Sequence, residues 1–368
     1  MSNVVNRVVE LAIQIQQIPA PTFQEQKRAE FVRDLFTAEG LDDVCTDDAG
    51  NVFARMMGSR QEKPLIVSAH LDTVFPMETN LRVARSSELI HGPGLGDNSL
   101  GVAALFGLLW SIGERKVQPR GDIWFVANVC EEGLGDLRGM RAVVDRFGKD
   151  VHAYLVLEGL ALGHVYHRAV GVKRYRVTAR TSGGHSWSDY GQPSAVHELA
   201  KLVVELASLS LPRYPRTTMN VGKISGGTSV NVIASEASFD LDLRSEGPEA
   251  LAALISAAET IIHKANRTGV TIETQVIGQR PAGEISTSHP LVLLAQDCLR
   301  EQGLEAGLIS GSTDANMPLS KGYPAIVLGI TTGGGAHTIH EYINTAPVAQ
   351  GMEQLICFVS RVWQPFRN

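Results

Sequence analysis

Three short runs in the first half of the chain are apolar on both faces: residues 64–69 (PLIVSA), 123–129 (IWFVANV) and 154–157 (YLVL). A strand with no polar side has to be covered above and below, so these runs require a sheet held between layers of helix. Helical patterns lie between them, at 100–113 and 137–147, which makes an α/β domain the expected fold. From Lys173 the rule changes. Tyr175, Val177 and Ala179 alternate with Arg174, Arg176, Thr178 and Arg180, and Phe239, Leu241 and Leu243 alternate with Asp240, Asp242 and Arg244. Those are half-exposed strands of an antiparallel sheet. With helical stretches at 195–209 and 248–266, the order becomes strand, helix, strand, strand, helix, strand, a ferredoxin-like layout. Beyond Pro281 the first style returns, with a helix near 291–302 and an apolar strand at 325–330. The expected architecture is an α/β domain built from residues 1–171 and 282–368, into which a smaller α+β domain, 172–281, is inserted.

Length agrees with this division, because 368 residues exceed what one core usually supports. A formal charge of −6 offers no basic footprint for nucleic acid or anionic lipid, which points to a small-molecule ligand. The longest apolar stretch, 102–112, is broken by Gly107 and falls short of the roughly 20 residues of a membrane span. The first residues show helical spacing without the layout of a signal peptide, so a cytoplasmic location is expected. Cys45, Cys130, Cys298 and Cys357 have no CxxC spacing and read as reduced thiols.

The chemistry gathers where the apolar strands end. PLIVSA runs into His70-Leu71-Asp72, IWFVANV into Cys130-Glu131-Glu132, YLVL into Glu158, and the strand at 325–330 into TTGGGAH at His337. Asp97 follows the glycine-rich HGPGLG and begins a helix. Ligands of open α/β sheets bind beyond the carboxyl ends of the strands, so these five segments are expected to converge. Two imidazoles and three carboxylates suit zinc, and can hold two ions about 3.5–4 Å apart if one carboxylate bridges them. Asp72 is placed to orient the His70 ring. Glu131 and Glu132, if extended, face opposite ways, one as ligand and the other as base.

These motifs resemble the di-zinc exopeptidases and amidohydrolases, a family that includes glutamate carboxypeptidase, tripeptidase T, aminoacylase and succinyl-diaminopimelate desuccinylase. The likeness runs in order from IPAPTFQE (18–25) through SAHLDTV, GLGDNSLG, VCEEGLG and VLEG to GGGAHTIHE, nearly the whole chain. It implies that His70 and Glu158 hold one zinc, Glu132 and His337 the other, and that Asp97 bridges both, with cobalt or manganese as alternatives. Glu131 is then the general base acting on a bridging water, and Asp72 the orienter. The family's H-x-x-x-E spacing fits His337 and Glu341, which favours His337 over His340 as the last ligand, and the family also implies a cis peptide at Asp97-Asn98. The inserted domain becomes a lid that mediates homodimerisation, and His185, in SGGHSW, reaches the neighbouring subunit's site. Arg244 and Asn231 grip the substrate, as does a loop containing Gly311, Thr313 and Asp314.

Two positions depart from the family pattern or choose within it. Ser99 stands where a lysine is common, and the fourth ligand is Glu158 rather than aspartate, which tilts toward acyl-amino-acid hydrolases and the carboxypeptidase. The resemblance thus implies an amide hydrolase acting on a short peptide, as a carboxypeptidase or a di- or tripeptidase, or alternatively on an N-acyl amino acid. An inactive binding protein on the same fold and a hydrolase using Cys130 are the rivals; no GxSxG elbow is present.

Overall fold

The computed structural model describes residues 2–364. The chain divides into two compact units, Met1–Ala169 with Glu284–Asn368, and Val170–Gly283, so the joins expected at 171/172 and 281/282 fall at 169/170 and 283/284. The first unit lays down β1 (Asp42–Thr46), β2 (Val52–Met56), β3 (Glu62–His70), β4 (Gly121–Asn128), β5 (Ala153–Glu158) and β6 (His164–Ala169). The second contributes β7 (Gly171–Arg180), β8 (Thr217–Gly226), β9 (Glu236–Ser245) and β10 (Thr271–Arg280). The chain then returns with β11 (Gly307–Gly311) and β12 (Ala325–Gly329).

The main sheet is mixed and nine-stranded, in the order β1-β2-β4-β3-β5-β12-β6, with β11 and the two-residue strand Gly283–Glu284 both beside β6. Strands β4, β3, β5 and β12 run parallel, and β12 meets β6 antiparallel. Every residue from Leu65 to His70 and throughout β12 is buried, as strands apolar on both faces require. The helix Leu100–Arg115 packs on β3 and β5 and against the helix Ser2–Gln16. Together with the preceding turn it corrects one expectation. Leu95–Arg115, 21 residues, is long and apolar enough to cross a membrane, yet 89% of its apolar 18-residue window is buried inside the protein, which makes it a core helix.

In the second unit the spatial order β8-β9-β7-β10 is antiparallel throughout, the arrangement of a ferredoxin-like fold. Tyr175, Val177, Ala179, Phe239, Leu241 and Leu243 are buried in a core shared with Leu199 and Leu202 of the helix Ala195–Ala207 and Leu254 and Ala258 of the helix Pro248–Lys264. On the polar face, Arg174 pairs with Asp242 at 2.9 Å, Arg176 with Asp240 at 2.8 Å and Arg180 with Glu236 at 2.9 Å. Solvated pairs of this kind add little stability. They give the alternating residues of these strands cross-strand partners.

A small sheet in the first unit decides where the site forms. Gly333–Gly334 pairs with Tyr342–Asn344, which pairs with Leu89–His91 and through it Ala84–Arg85. This seats the hairpin carrying His337 beside the strand that leads into Asp97.

Candidate metal centre

Strand β3 delivers His70 at its last residue, in register with Asn128 at the end of β4, and β5 delivers Glu158 opposite Gly329 of β12. The carboxyl ends of parallel strands therefore present these groups to one crevice. Past Asn128 the chain leaves extended form, and Cys130 takes a left-handed φ of 59°. Side-chain alternation no longer applies there. Contrary to the extended-strand expectation, ligand atoms of both Glu131 and Glu132 lie within 4.8 Å of one another and of His70.

Asp72 is the reason this turn is held. Its Oδ1 accepts the Glu131 N–H at 2.9 Å, and its Oδ2 accepts the Glu132 N–H at 2.8 Å and the Thr22 hydroxyl at 2.9 Å. Its carboxylate is 3.6 Å from His70 Nδ1, too far to orient the ring by a hydrogen bond. That nitrogen sits 3.0 Å from the backbone carbonyl of Asp72 instead, which directs Nε2 toward the crevice. Asp72 thus meets the imidazole through its backbone carbonyl and positions the paired glutamates through its carboxylate.

Asp97 stands between the two histidines. His70 Nε2 is 3.1 Å from its Oδ1 and 3.7 Å from Glu158, while His337 Nε2 is 3.0 Å from its Oδ2 and 3.0 Å from Glu132. Each oxygen of one carboxylate faces a different imidazole, so His70, Asp97 and Glu158 make one ligand group, and Asp97, Glu132 and His337 a second. The Asp97–Asn98 peptide is cis. His337 takes a left-handed φ of 64° two residues after Gly335, which is also left-handed. His340 is exposed and belongs to no ligand group among the described residues.

Burial would neutralise these groups, but at Asp97, His70 and His337 their partners prevail. Burial raises the Asp97 carboxyl, yet His337 and His70 beside it hold it well below the usual range. Burial lowers the His70 pKa, and Asp72, Asp97 and Glu158 overcome that and raise it. Asp97 and Glu132 draw His337 up to about 10. Glu158, half-buried at the end of β5, is pushed upward by burial against the pull of His70. Four carboxylates, those of Asp97, Glu131, Glu132 and Glu158, thus crowd around two imidazoles. Positive charge among such a set relieves the repulsion of its carboxylates, and its O and N donors fit two divalent ions. Cys130 suits no nucleophilic role: burial, with Glu25 and Asp72 nearby, pushes its thiol to about 12.

The other expected residues have definite places. Gly311 ends β11 so close to the Tyr166 ring that an added Cβ would stand 2.5 Å from it. The Thr313 N–H donates to Asn316 Oδ1 at 2.9 Å. Asp314 is fully buried, with Oδ2 accepting from Asn128 Nδ2 at 2.7 Å, and burial raises its carboxyl to about 7. Its carboxylate therefore braces the end of β4. In the second unit, His185 is exposed, and its Nδ1 accepts the N–H groups of Trp187 at 3.2 Å and Ser188 at 3.4 Å, which leaves the proton on Nε2. Asn231 is its neighbour, since the Ser186 N–H donates to the Asn231 carbonyl at 3.0 Å. Arg244, on β9, donates from Nε to Asp242 at 2.6 Å.

The sequence profile of the peptidase family M20/M25/M40 matches residues 66–361, a span containing all five presumed ligands. The chain belongs to that family. Among curated relatives, YqjE of Bacillus subtilis is 22% identical over 366 residues, covering 94% of each chain. A tripeptidase from Staphylococcus aureus has the same fold, with a TM-score of 0.83 at 23% identity over 97% of this chain and 98% of that one. YxeP of Bacillus subtilis, a dinuclear metal-binding M20 peptidase, superposes with a TM-score of 0.69 at 15% identity over 98% of both. The protein is thus an enzyme of the metallopeptidase and amidohydrolase type.

This M20 chain also relies on groups that sequence reading left without a role. Glu341 is fully buried, and accepts the N–H of Gly94 at 2.8 Å, of Gly96 at 2.6 Å and of Asp97 at 2.9 Å. It fixes the loop that offers Asp97. Asn98 ties the same loop to the end of β5, donating to the Leu157 carbonyl at 2.8 Å and accepting the Gly159 N–H at 2.8 Å. Ser99, where the family pattern led to the expectation of a lysine, is buried and donates to the Gly94 carbonyl at 2.6 Å, so this position is no surface ion pair. Arg28 is buried behind the first histidine motif, with Nη1 donating to the Leu71 carbonyl at 2.7 Å and Nη2 to that of Ile18 at 2.6 Å. Its place on the buried stripe Arg28, Ala29, Val32, Phe36 was a usable signal, because a charge on an apolar stripe needs partners.

Proposed function

We propose that the chain is a two-metal exopeptidase that cleaves the amide bond next to the terminal amino-acid carboxylate of short peptides, with zinc as its metal and a homodimer as its working form. The observation that carries this reading is the Asp97 carboxylate, one oxygen toward His70 and the other toward His337, with Glu131 and Glu132 gripped by Asp72 alongside. His70 and Glu158 would hold one ion, Glu132 and His337 the other, and Asp97 both. Two ions there supply Lewis-acid polarisation and lower the pKa of a water molecule. Glu131 takes the attacking water's proton on its carboxylate and delivers it to the departing amine nitrogen. The Nε2–H of His185 donates to the oxygen of the scissile carbonyl in the neighbouring subunit, and Arg244 pairs with the substrate carboxylate. The dinuclear peptidase and the tripeptidase of the same fold support a peptide substrate.

The test is Glu131→Gln. It should retain two metal ions per chain by atomic emission while turnover of di- and tripeptides falls by about 10²–10⁴-fold or more. Substantial residual activity in that variant would remove the base from Glu131. Glu158, an aspartate in many peptidase relatives, favours a second reading, hydrolysis of N-acyl amino acids. A panel of dipeptides, tripeptides and acetyl-, succinyl- and glutamyl-linked amino acids separates the two.

A further inference from the structure

Away from the metal centre, two cysteines far apart in sequence meet on neighbouring helices. Cys298, on Pro290–Glu301, is fully buried, and its Sγ lies 2.9 Å from Sγ of the partly exposed Cys357 on Val348–Arg361. Two charged side chains complete the cluster. Arg361 Nη1 is 3.3 Å from Cys357 Sγ and 2.5 Å from Glu301 Oε1, and Glu301 Oε2 is 3.4 Å from the same sulfur. One sulfur is therefore reachable, beside a guanidinium and a thiol donor, with a carboxylate to receive its proton. The second sulfur is enclosed and aimed at the first. Reactive and resolving thiols of peroxide-oxidised pairs have this division of labour. Neither of the other cysteines does: Cys130 is buried beside Glu25, and Cys45 has Arg146 at 3.7 Å, with Cys298 and Cys357 forming the one close sulfur pair among the described residues.

We propose that Cys298 and Cys357 form a hydroperoxide-oxidised dithiol, with Cys357 as the attacking sulfur and Cys298 as the resolving one. The Cys357 thiolate attacks a peroxide oxygen. An S–O bond forms, the O–O bond breaks, and the leaving oxygen departs as water or an alcohol with the thiol's proton. Cys298 sulfur then attacks Cys357 sulfur, the S–S bond forms as the S–O bond breaks, and hydroxide leaves as water with the Cys298 proton. Two thiols and one hydroperoxide yield one disulfide, one alcohol or water, and one water, the two electrons coming from sulfur. The hydrogen bond from Cys298 lowers the Cys357 pKa, consistent with that order of attack. The product ties two helices across a separation of 59 residues, so oxidation also restricts the unfolded chain.

The full chain, reduced and desalted, is treated with one equivalent of hydrogen peroxide, alkylated in guanidinium and digested for mass spectrometry. The expected result is a cross-linked pair of peptides carrying Cys298 and Cys357, with Cys45 and Cys130 still alkylated, and a rise in Tm that dithiothreitol reverses. Oxidation of Cys45 at an equal or greater rate, or a sulfinic acid at Cys357 without the cross-link, overturns the proposal. Cys298→Ala should leave a dimedone-reactive sulfenic acid on Cys357, and Cys357→Ala should leave Cys298 unoxidised. Failure of either reverses the assigned order of attack, and the measurement on the unaltered chain stands whether or not these variants fold.

Discussion

Glu341 shows how much of a metal site is built from residues that touch no metal. Its carboxylate closes on three backbone N–H groups of the Asp97 loop. Glu341→Ala leaves those donors buried without an acceptor, and should cost about 3 kcal/mol or more in urea unfolding. Displacing Asp97 should also weaken metal affinity by roughly 10–100-fold, read by competition with a chromogenic chelator. The imidazoles make a second prediction. The folded pKa of His337 is about 10, raised by Asp97 and Glu132, against an ordinary 6.5. A raised pKa stabilises the fold fully below pH 6.5, and that contribution is lost as pH climbs through 10. Metal-free protein should therefore show a falling Tm between pH 6.5 and 10, and His337→Ala a flatter profile; equal slopes in the two would refute the assignment. At this scale the residues that the fold gathers into potential ligand groups were legible, because each closes an apolar strand or a glycine run. The partners of Glu341 and Arg28 were not, since they are backbone groups at positions only folding brings near, although a charge on an apolar stripe already signalled that Arg28 needed some.

Among the elements, those with strong periodicity were readable and the short ones were not. Strands β3, β4, β5 and β12 announce themselves as unbroken apolar runs, and β7 and β9 by alternation. The strands of two and three residues that join Leu89–His91 to the His337 hairpin have too little length for any period, yet they bring Asp97 and His337 together. Cys130 likewise defeats a strand-based reading, because one left-handed residue cancels the alternation of the glutamates that follow. A tight helix contact gives the prediction that belongs here. Gly351, on Val348–Arg361, lies so close to the end of β12 that a Cβ would stand 1.8 Å from the Ile330 carbonyl oxygen. Gly351→Ala must push the helix off the strand leading to His337, at about 1–3 kcal/mol in denaturant midpoint.

For the whole molecule, the division into two units was visible as a change of pattern at Lys173, from strands apolar on both faces to strands apolar on one. The role of the second unit is open to a direct experiment. If His185 serves the neighbouring subunit, inactive His185→Ala and Glu131→Ala homodimers, unfolded together and refolded, should regain about a quarter of wild-type activity, because half the dimers are mixed and each has one intact site. No recovery would place His185 with its own chain's site, or outside catalysis. A final consequence concerns manufacture of the chain rather than its finished form. Strand β12 occupies the gap between β5 and β6, which are consecutive in sequence, and His337 comes later still. On the ribosome, the second unit has all four of its strands in hand while the sheet before it still lacks a central member. The nascent protein can neither close its main core nor bring its two groups of presumed ligands together until residue 337 has been made, so the second unit can fold before any ion is captured there.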